Sequence, residues 1–373
     1  MKFPFRQGPH LRDNFKNDKM QTTMLKALLF VTGWSILNRF VFFGAEVAIH
    51  IAMMLIVASA GGLVTHILFH MLFDKLEKKK FASFKERFFS AKSKVKGGAP
   101  FITAIILVLA MQPHTPLYVA LMTIVFAELF AKLLFGGYGQ NIFNPVAVGL
   151  IFNALTFGGT TLTAGLPDAF TMATPLVGLN AANWYMTSQQ AALFIASYGG
   201  ILPMFLGLVP GSVGEVSRFA ILLAFAYMAY KKVLDWRLTA FYLGAIIFIT
   251  TIIGFIIGAG LWYPLVNLLS GAVIFGAVFM ATDPVTTPVN RQGKMIFAIF
   301  LAMLTLLIRF NSNHLEGFAF SLLIMNMFVP YIDTLTSNVT SENINKKFVS
   351  VAASFAVAAI VVVGFTMVMG NIG

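Results

Sequence analysis

Cysteine is absent from the 373 residues, and charge is scarce: only 11% of them are Asp, Glu, Lys or Arg. The first absence removes thiolate ligands for iron-sulfur clusters, thiol nucleophiles and disulfides. Any redox chemistry in this chain therefore needs a cofactor held by other groups. The second absence excludes a water-soluble enzyme. Ordinary globular proteins carry roughly 25% charged residues, and a chain that is 58% hydrophobic with a mean hydropathy of +0.83 could not cover a water-facing surface of its own size. Apolar stretches recur along the whole chain, which predicts an all-α, polytopic membrane helix bundle rather than two or three soluble domains. The amino terminus, Met1 to Gln21, is basic and polar, and no small-residue cleavage site follows the first apolar run at Met24, so no cleaved signal peptide is expected.

On the rule that roughly 20 apolar residues cross the hydrocarbon core, spans are expected at 24–40, 44–73, 99–112, 117–135, 145–158, 217–232, 238–260, 265–282, 294–310, 316–333 and 348–369. That makes ten core spans and an eleventh at the tail. The apolar segment 191–209 is interrupted by Gly199, Gly200 and Pro203 and reads as a re-entrant or interfacial piece. With the amino terminus inside, twenty-three of the 26 basic residues fall on the cytoplasmic side, and only Arg39, Arg218 and Arg309 lie elsewhere. Segment 159–190 then falls outside. The basic loop 75–96 reads as a topology determinant in contact with anionic lipid, and nothing in the chain points to nucleic acid.

Because five is odd, spans 1–5 and 6–10 have opposite orientations, and Asn144-Pro145-Val146 is echoed by Asp283-Pro284-Val285. Both features suggest inverted five-helix repeats, a transporter device that sets broken helices around an ion path. The expected organisation is an amino-terminal arm (1–23), a first repeat (24–158), an external loop with the re-entrant segment (159–216), a second repeat (217–333), and a linker with an extra helix (334–373).

Several polar residues stand out against this background. Glu128 and Lys132 share a helix face four residues apart, which fits a local ion pair or, for Glu128, an ion-path carboxylate. Asp283 and Asp333 fall at cytoplasmic helix ends, where they draw cations inward, cap the helix, or pair with Arg291 or Lys294. His66 and His70 have metal-ligand spacing but no accompanying acid cluster, so hydrogen-bonded packing is expected. The glycines of Gly136 to Gly139 are expected to break the fourth span so that the fifth starts deep in the bundle, with Asn144 as its cap before Pro145. In the external loop, Asp168-Ala169-Phe170-Thr171-Met172-Ala173-Thr174-Pro175 fits a turn with capping residues. Alternatively, the Thr174 hydroxyl is a phosphoester acceptor that tethers a nucleotide cofactor.

That last stretch resembles the flavin-transferase acceptor motif, Asp-x-x-Ser/Thr-x-Ala-Thr, of the Rnf and Nqr respiratory complexes, matched at Asp168, Thr171, Ala173 and Thr174. Gly136 to Pro145 (GGYGQNIFNP), Ala281 to Thr286 (ATDPVT), Gly211 to Glu215 (GSVGE) and Val329 to Asp333 (VPYID) resemble the same subunit family in the same order. The likeness is closer to the D-type subunits of Rnf than to the B-type subunits of Nqr, which usually carry a longer amino-terminal extension. Ser270-Gly271-Ala272-Val273 resembles an acceptor in three residues, but valine has no hydroxyl to esterify.

The resemblance implies FMN joined through its phosphate to Thr174 on the extracytoplasmic face, and a non-covalent riboflavin nearer the cytoplasmic side. It implies cation uptake through Asp283 and Asp333. It also implies partners: a second covalent-FMN subunit, iron-sulfur subunits, and a flavin transferase for maturation. The chain would be a translocase subunit in a bacterial or archaeal cytoplasmic membrane, coupling ferredoxin and NAD redox chemistry to Na+ or H+ transport. The rival readings are an Nqr-type subunit ending its electron path at quinone, and a redox-silent channel or transporter. A flavin suits a cysteine-free carrier because it connects one-electron and two-electron partners.

Overall fold

The computed structural model describes residues 17–76, 83–95, 98–163, 179, 184, 187–215, 217–311, 317–337 and 344–368. Among the described residues every regular element is a helix: α1 (Asn17–Phe43), α2 (Ala45–Leu76), α3 (Phe84–Lys94), α4 (Ala99–Ala110), α5 (Leu117–Ala131), α6 (Pro145–Thr163), α7 (Ser188–Ser197), α8 (Ile201–Leu206), α9 (Arg218–Tyr230), α10 (Trp236–Ile256), α11 (Trp262–Leu268), α12 (Val273–Met280), α13 (Arg291–Asn311), α14 (Gly317–Ser337) and α15 (Ile344–Val368). The last five residues of α12 form a π-helical turn.

All eleven expected spans fall on helices, but not all are straight crossings. Seven helices are long and apolar enough to cross a membrane alone: α1, α2, α5 with its following turn, α10, α13, α14 and α15. Two bent pairs, α3 with α4 at 66° and α11 with α12 at 64°, are each a broken span or a re-entrant loop, which makes at most nine candidate crossings among the described residues, and α6 and α9 are shorter apolar helices. Local sequence accounts for the bends. The segment FKERFFSAKSK of α3 is too polar to enter hydrocarbon, and Gly271 between α11 and α12 sits at φ +67°, a conformation that side chains with a Cβ rarely adopt. Exposed apolar side chains such as Ile56 and Ile360 cover the outside, as expected of a lipid-facing surface.

The amino-terminal helix begins inside the expected arm, at Asn17. Gln21 and Thr23 are buried, and Gln21 Oε1 accepts a hydrogen bond from the Gly98 N–H at 3.0 Å, so the start of α1 is tied to the start of α4. In the first half α2 packs on α4 and α5, α5 on α6, and α1 on α4. In the second half α10 packs on α11 and α13, α13 on α14, and α9 on α12. A bent pair is the third element of each half. The halves meet where α1 packs on α9 and α6 on α14, while the tail helix α15 lies along α10 and α13.

The Asn-Pro-Val and Asp-Pro-Val stretches do not occupy matching joints. Asn144 opens the fifth element of the first half, whereas Asp283 follows the third element of the second. Their likeness marks proximity instead, since the Asn144 side chain donates to the Met280 carbonyl at 3.1 Å.

One end of the bundle gathers the starts of α1, α4, α6, α10 and α13 and carries the described lysines; it is called the basic end below. The opposite, far end carries Arg39, Arg218 and Arg309, all buried.

Candidate functional site

At the basic end the chain leaves α5 through a short 3-10 turn and three glycines at positive φ: Gly136 (111°), Gly137 (92°) and Gly139 (85°). This permits a compact reversal, after which α6 starts below the bundle surface. Asn144 caps it as expected, its Oδ1 accepting from the N–H groups of Val146 (3.0 Å) and Ala147 (3.2 Å). The buried Asn326, midway along α14, completes the joint: its Oδ1 accepts from the Asn144 N–H at 2.9 Å and its amide donates to the Thr286 carbonyl at 3.0 Å. One side chain therefore holds both chain breaks.

Between those breaks lies an open cavity of about 100 Å³. Met24, Ile102, Ile106 and Phe279 give it apolar walls, and Lys132, Tyr138, Asn141, Asn144 and Asp283 give it polar ones. Lys132 is 4% exposed and Glu128 is 0% exposed, so their charges must satisfy each other. They do: Lys132 Nζ lies 3.0 Å from Glu128 Oε1 and 2.9 Å from Oε2, and it also donates to Thr103 Oγ1 at 2.8 Å. His66 Nε2 approaches Glu128 Oε2 at 2.8 Å from α2. The local Glu128–Lys132 pair expected from sequence is thus present, enlarged by His66 and Thr103.

Asp283 is half-buried in the cavity wall. Its carboxylate accepts from the Val285 N–H (3.1 Å) and the Thr286 hydroxyl (3.2 Å). Burial pushes its pKa above the ordinary value, against those hydrogen bonds and the attraction of Lys132. Asp333 Oδ1 accepts from the Val289 N–H at 2.9 Å, so both carboxylates fold the 283–290 loop. Neither carboxylate caps a helix; each accepts from an N–H of the loop before α13. Lys294 pairs with Asp235 instead, at 3.2 Å. His66 and His70 are ring neighbours at 6.5 Å, and among the described residues no group of three His, Cys, Asp or Glu side chains could hold a metal ion.

Asp168, Thr171, Ala173 and Thr174 lie outside the described residues. Leu179 and Trp184, farther along the same connection, are buried at the far end. Trp184 packs edge-on against Phe310 (centroids 5.3 Å apart) and lies 6.0 Å from the Arg309 guanidinium. Arg309 donates to the carbonyls of Asn267 (3.0 Å) and Ser270 (3.3 Å), bracing the bend between α11 and α12. The Ser270–Val273 stretch forms this bend, with the serine fully buried, rather than the interior of a continuous span. Arg39 similarly donates to the carbonyls of Gly211 (2.9 Å) and Ser212 (3.3 Å), and Trp34 and Asn38 hold the Leu206 carbonyl, so 188–209 is a broken segment, α7 and α8, packed at the far end.

Sequence reasoning missed Thr103, Asn326 and the reach of His66 to Glu128. Asn326 carried a signal, as an amide in the middle of an apolar span. The His66–Glu128 contact joins residues 62 positions apart and has no local signature.

A family model described as the NQR2, RnfD, RnfE family matches residues 5–341. The chain is 34% identical over 254 residues to the D-type subunit of the proton-translocating ferredoxin:NAD(+) oxidoreductase complex of Clostridium ljungdahlii, covering 66% of this chain and 75% of that relative. It is 33% identical over 238 residues to the D-type subunit of the Na(+)-translocating ferredoxin:NAD(+) oxidoreductase complex of Acetobacterium woodii, covering 63% and 70%. The B-type subunit of the Na(+)-translocating NADH-quinone reductase of Klebsiella pneumoniae is 33% identical over 264 residues, covering 66% and 60%.

Proposed function

The chain belongs to the NQR2, RnfD, RnfE family, and on that premise we propose that it is the D-type membrane subunit of an Rnf-type, ion-translocating ferredoxin:NAD oxidoreductase, an electron carrier active within its complex. The observation that carries this reading is the family match along residues 5–341, which includes the acceptor motif, together with relatives that are themselves D-type subunits of ferredoxin:NAD(+) oxidoreductase complexes. Its partners are the iron-sulfur and second FMN-bearing subunits, which supply the centres that a cysteine-free chain cannot ligate. The basic end faces the cytoplasm, in keeping with the segregation of lysines, and the loop with Thr174 faces outward. The membrane is the cytoplasmic membrane of a bacterium or archaeon.

Two flavins fit the residues present. Thr174 offers the hydroxyl for a phosphoester to FMN, with Asp168, Thr171 and Ala173 completing the transferase motif. The cavity at the basic end suits a non-covalent riboflavin: Ile102, Ile106 and Phe279 offer apolar contact for a flat ring, Tyr138, Asn141 and Asn144 offer polar groups, and Lys132 offers a positive charge. A bound flavin accepts and releases electrons singly or in pairs. From the cavity, α13 runs to the contact with Trp184, ten residues after Thr174 in sequence, and 21 helical residues span roughly 30 Å. Asp283, Asp333 and Glu128 are the acids of the ion path.

The test is intact mass and in-gel flavin fluorescence of the denatured chain, co-produced with a flavin transferase. Wild type retains the mass of one FMN less water, and Thr174→Ala does not. A wild-type chain without covalent flavin beside an active transferase would overturn the acceptor assignment and favour a redox-silent transporter. The similarity to the B-type subunit of the NADH-quinone reductase supports a second reading, in which the complex reduces quinone. Ferredoxin:NAD against NADH:quinone activity of the purified complex separates the two.

A further inference from the structure

The buried charge network beside the cavity has a linear arrangement. Lys132 reaches the cavity wall, and Glu128 and His66 stand behind it, away from the lining. Glu128 receives Lys132 on both oxygens and His66 on Oε2, and Thr103 takes a further hydrogen bond from Lys132. The charge count of this group depends on the imidazole. With His66 neutral, Lys132 and Glu128 cancel and the cavity wall carries no net charge. With His66 protonated, the group carries +1.

The other ionisable groups around His66 are either engaged elsewhere or turned away. On its own helix, His70 is a ring neighbour, and Asp74 is ion-paired with Lys94 of α3. Arg87 of α3 donates to the Met71 carbonyl. Helix α4 has no ionisable side chain, and Lys19 and Lys26 of α1 are exposed. Histidine is also the residue type whose charge changes between pH 5 and 8.

We propose that His66, Glu128 and Lys132 form a proton-loading group that balances the charge of a redox cofactor in the cavity. It rests on the reading that the cavity holds a non-covalent flavin. When one electron arrives on that flavin from a reduced one-electron carrier of the complex, one proton from cytoplasmic water is taken up by His66. The net charge of cavity and wall is then unchanged, and re-oxidation returns the proton. Lys132 is the contact with the cofactor. Glu128 and His66 are positioning residues that act through it, and Thr103 keeps the ammonium in place.

The experiment is a redox titration of the riboflavin in the purified complex across about pH 6 to 8, with riboflavin content measured in the acid extract, where its mass tells it from FMN. Wild-type potential falls as pH rises across this window. His66→Gln, which keeps a hydrogen bond to Glu128 without a titrating ring, flattens that dependence at unchanged riboflavin content. Lys132→Gln moves the potential down, and Glu128→Gln, which leaves Lys132 uncompensated, moves it up. Should Glu128→Gln not assemble, the double variant Glu128→Gln/Lys132→Gln removes both charges, and its potential stays near that of wild type. Riboflavin present with the wild-type pH dependence intact in His66→Gln overturns the proton-loading role alone. A wild-type complex without riboflavin overturns the flavin reading of the cavity and the proposal with it.

Discussion

At the basic end each buried or half-buried lysine among the described residues meets an acid: Lys132 with Glu128, Lys94 with Asp74, Lys294 with Asp235. At the far end Arg39 and Arg309 meet main-chain carbonyls instead, where short helices end and the backbone leaves acceptors unpaired. The difference reflects what each end must do. Carbonyls at a helix break do not titrate, so their contacts with Arg39 and Arg309 hold in one charge state. At the basic end the partners are acids, so each lysine charge is balanced within its own pair. A planar guanidinium suits the first task because its fork spans two carbonyls, and a lysine suits the second because it follows a point charge.

This contrast can be broken at either end. The largest effect is expected from Glu128→Ala, which strands a buried ammonium at a cost of about 3–5 kcal/mol. Thermal unfolding of the detergent-purified chain measures it, and the double variant Glu128→Ala/Lys132→Ala should lose clearly less than the sum of the two single changes. Next is Arg309→Leu, which removes hydrogen bonds to two carbonyls at the α11–α12 bend, the longer one weak, at a cost of about 1.5–3 kcal/mol. Its melting temperature falls, and because these hydrogen bonds run to carbonyls that do not titrate, the loss should be nearly independent of pH.

Packing between the ends ranks third. A Cβ added at Gly276 would lie 2.5 Å from the Phe318 ring, so Gly276→Ala should destabilise by about 1–3 kcal/mol, read by the same melt, and Phe318→Leu should relieve part of it.

The smallest effect concerns Asp235, which caps α10 and pairs with Lys294 near the surface. Burial works against its ionisation, but the Arg237 N–H and Lys294 outweigh it and hold the carboxyl below its ordinary value. Its stabilisation is therefore present above the unfolded-state pKa and lost as pH falls through the folded one. Asp235→Asn should flatten the acid side of the stability profile by less than about 1 kcal/mol.

Much of the architecture was legible because a bilayer imposes a length and a polarity on every crossing. The eleven apolar segments, the glycine break ahead of Asn144 and the ion pair at Glu128 and Lys132 all arise from local patterns, a run of apolar residues, a cap or an i, i+4 spacing. Three features were not local. Helix α1 starts at Asn17, ahead of the span expected at 24, and its buried Gln21 meets the Gly98 N–H at the start of α4. The Asn-Pro-Val and Asp-Pro-Val stretches looked like repeat partners but are neighbours across a joint. His66 was expected in hydrogen-bonded packing, and its acid partner lay on another helix.

Composition and pattern alone determined that this chain lives in a membrane, how many apolar segments it has, where its lysines gather, and which family's motifs it carries. These are properties of windows of about 20 residues, and the hydrocarbon core reads them window by window. Tertiary structure decided which segments cross straight and which bend, that the glycine break and the Asp283 loop enclose one cavity, and that His66 stands behind Glu128. Those outcomes depend on which helix faces which, and buried polar groups, each obliged to find a partner in a medium without water, set that arrangement.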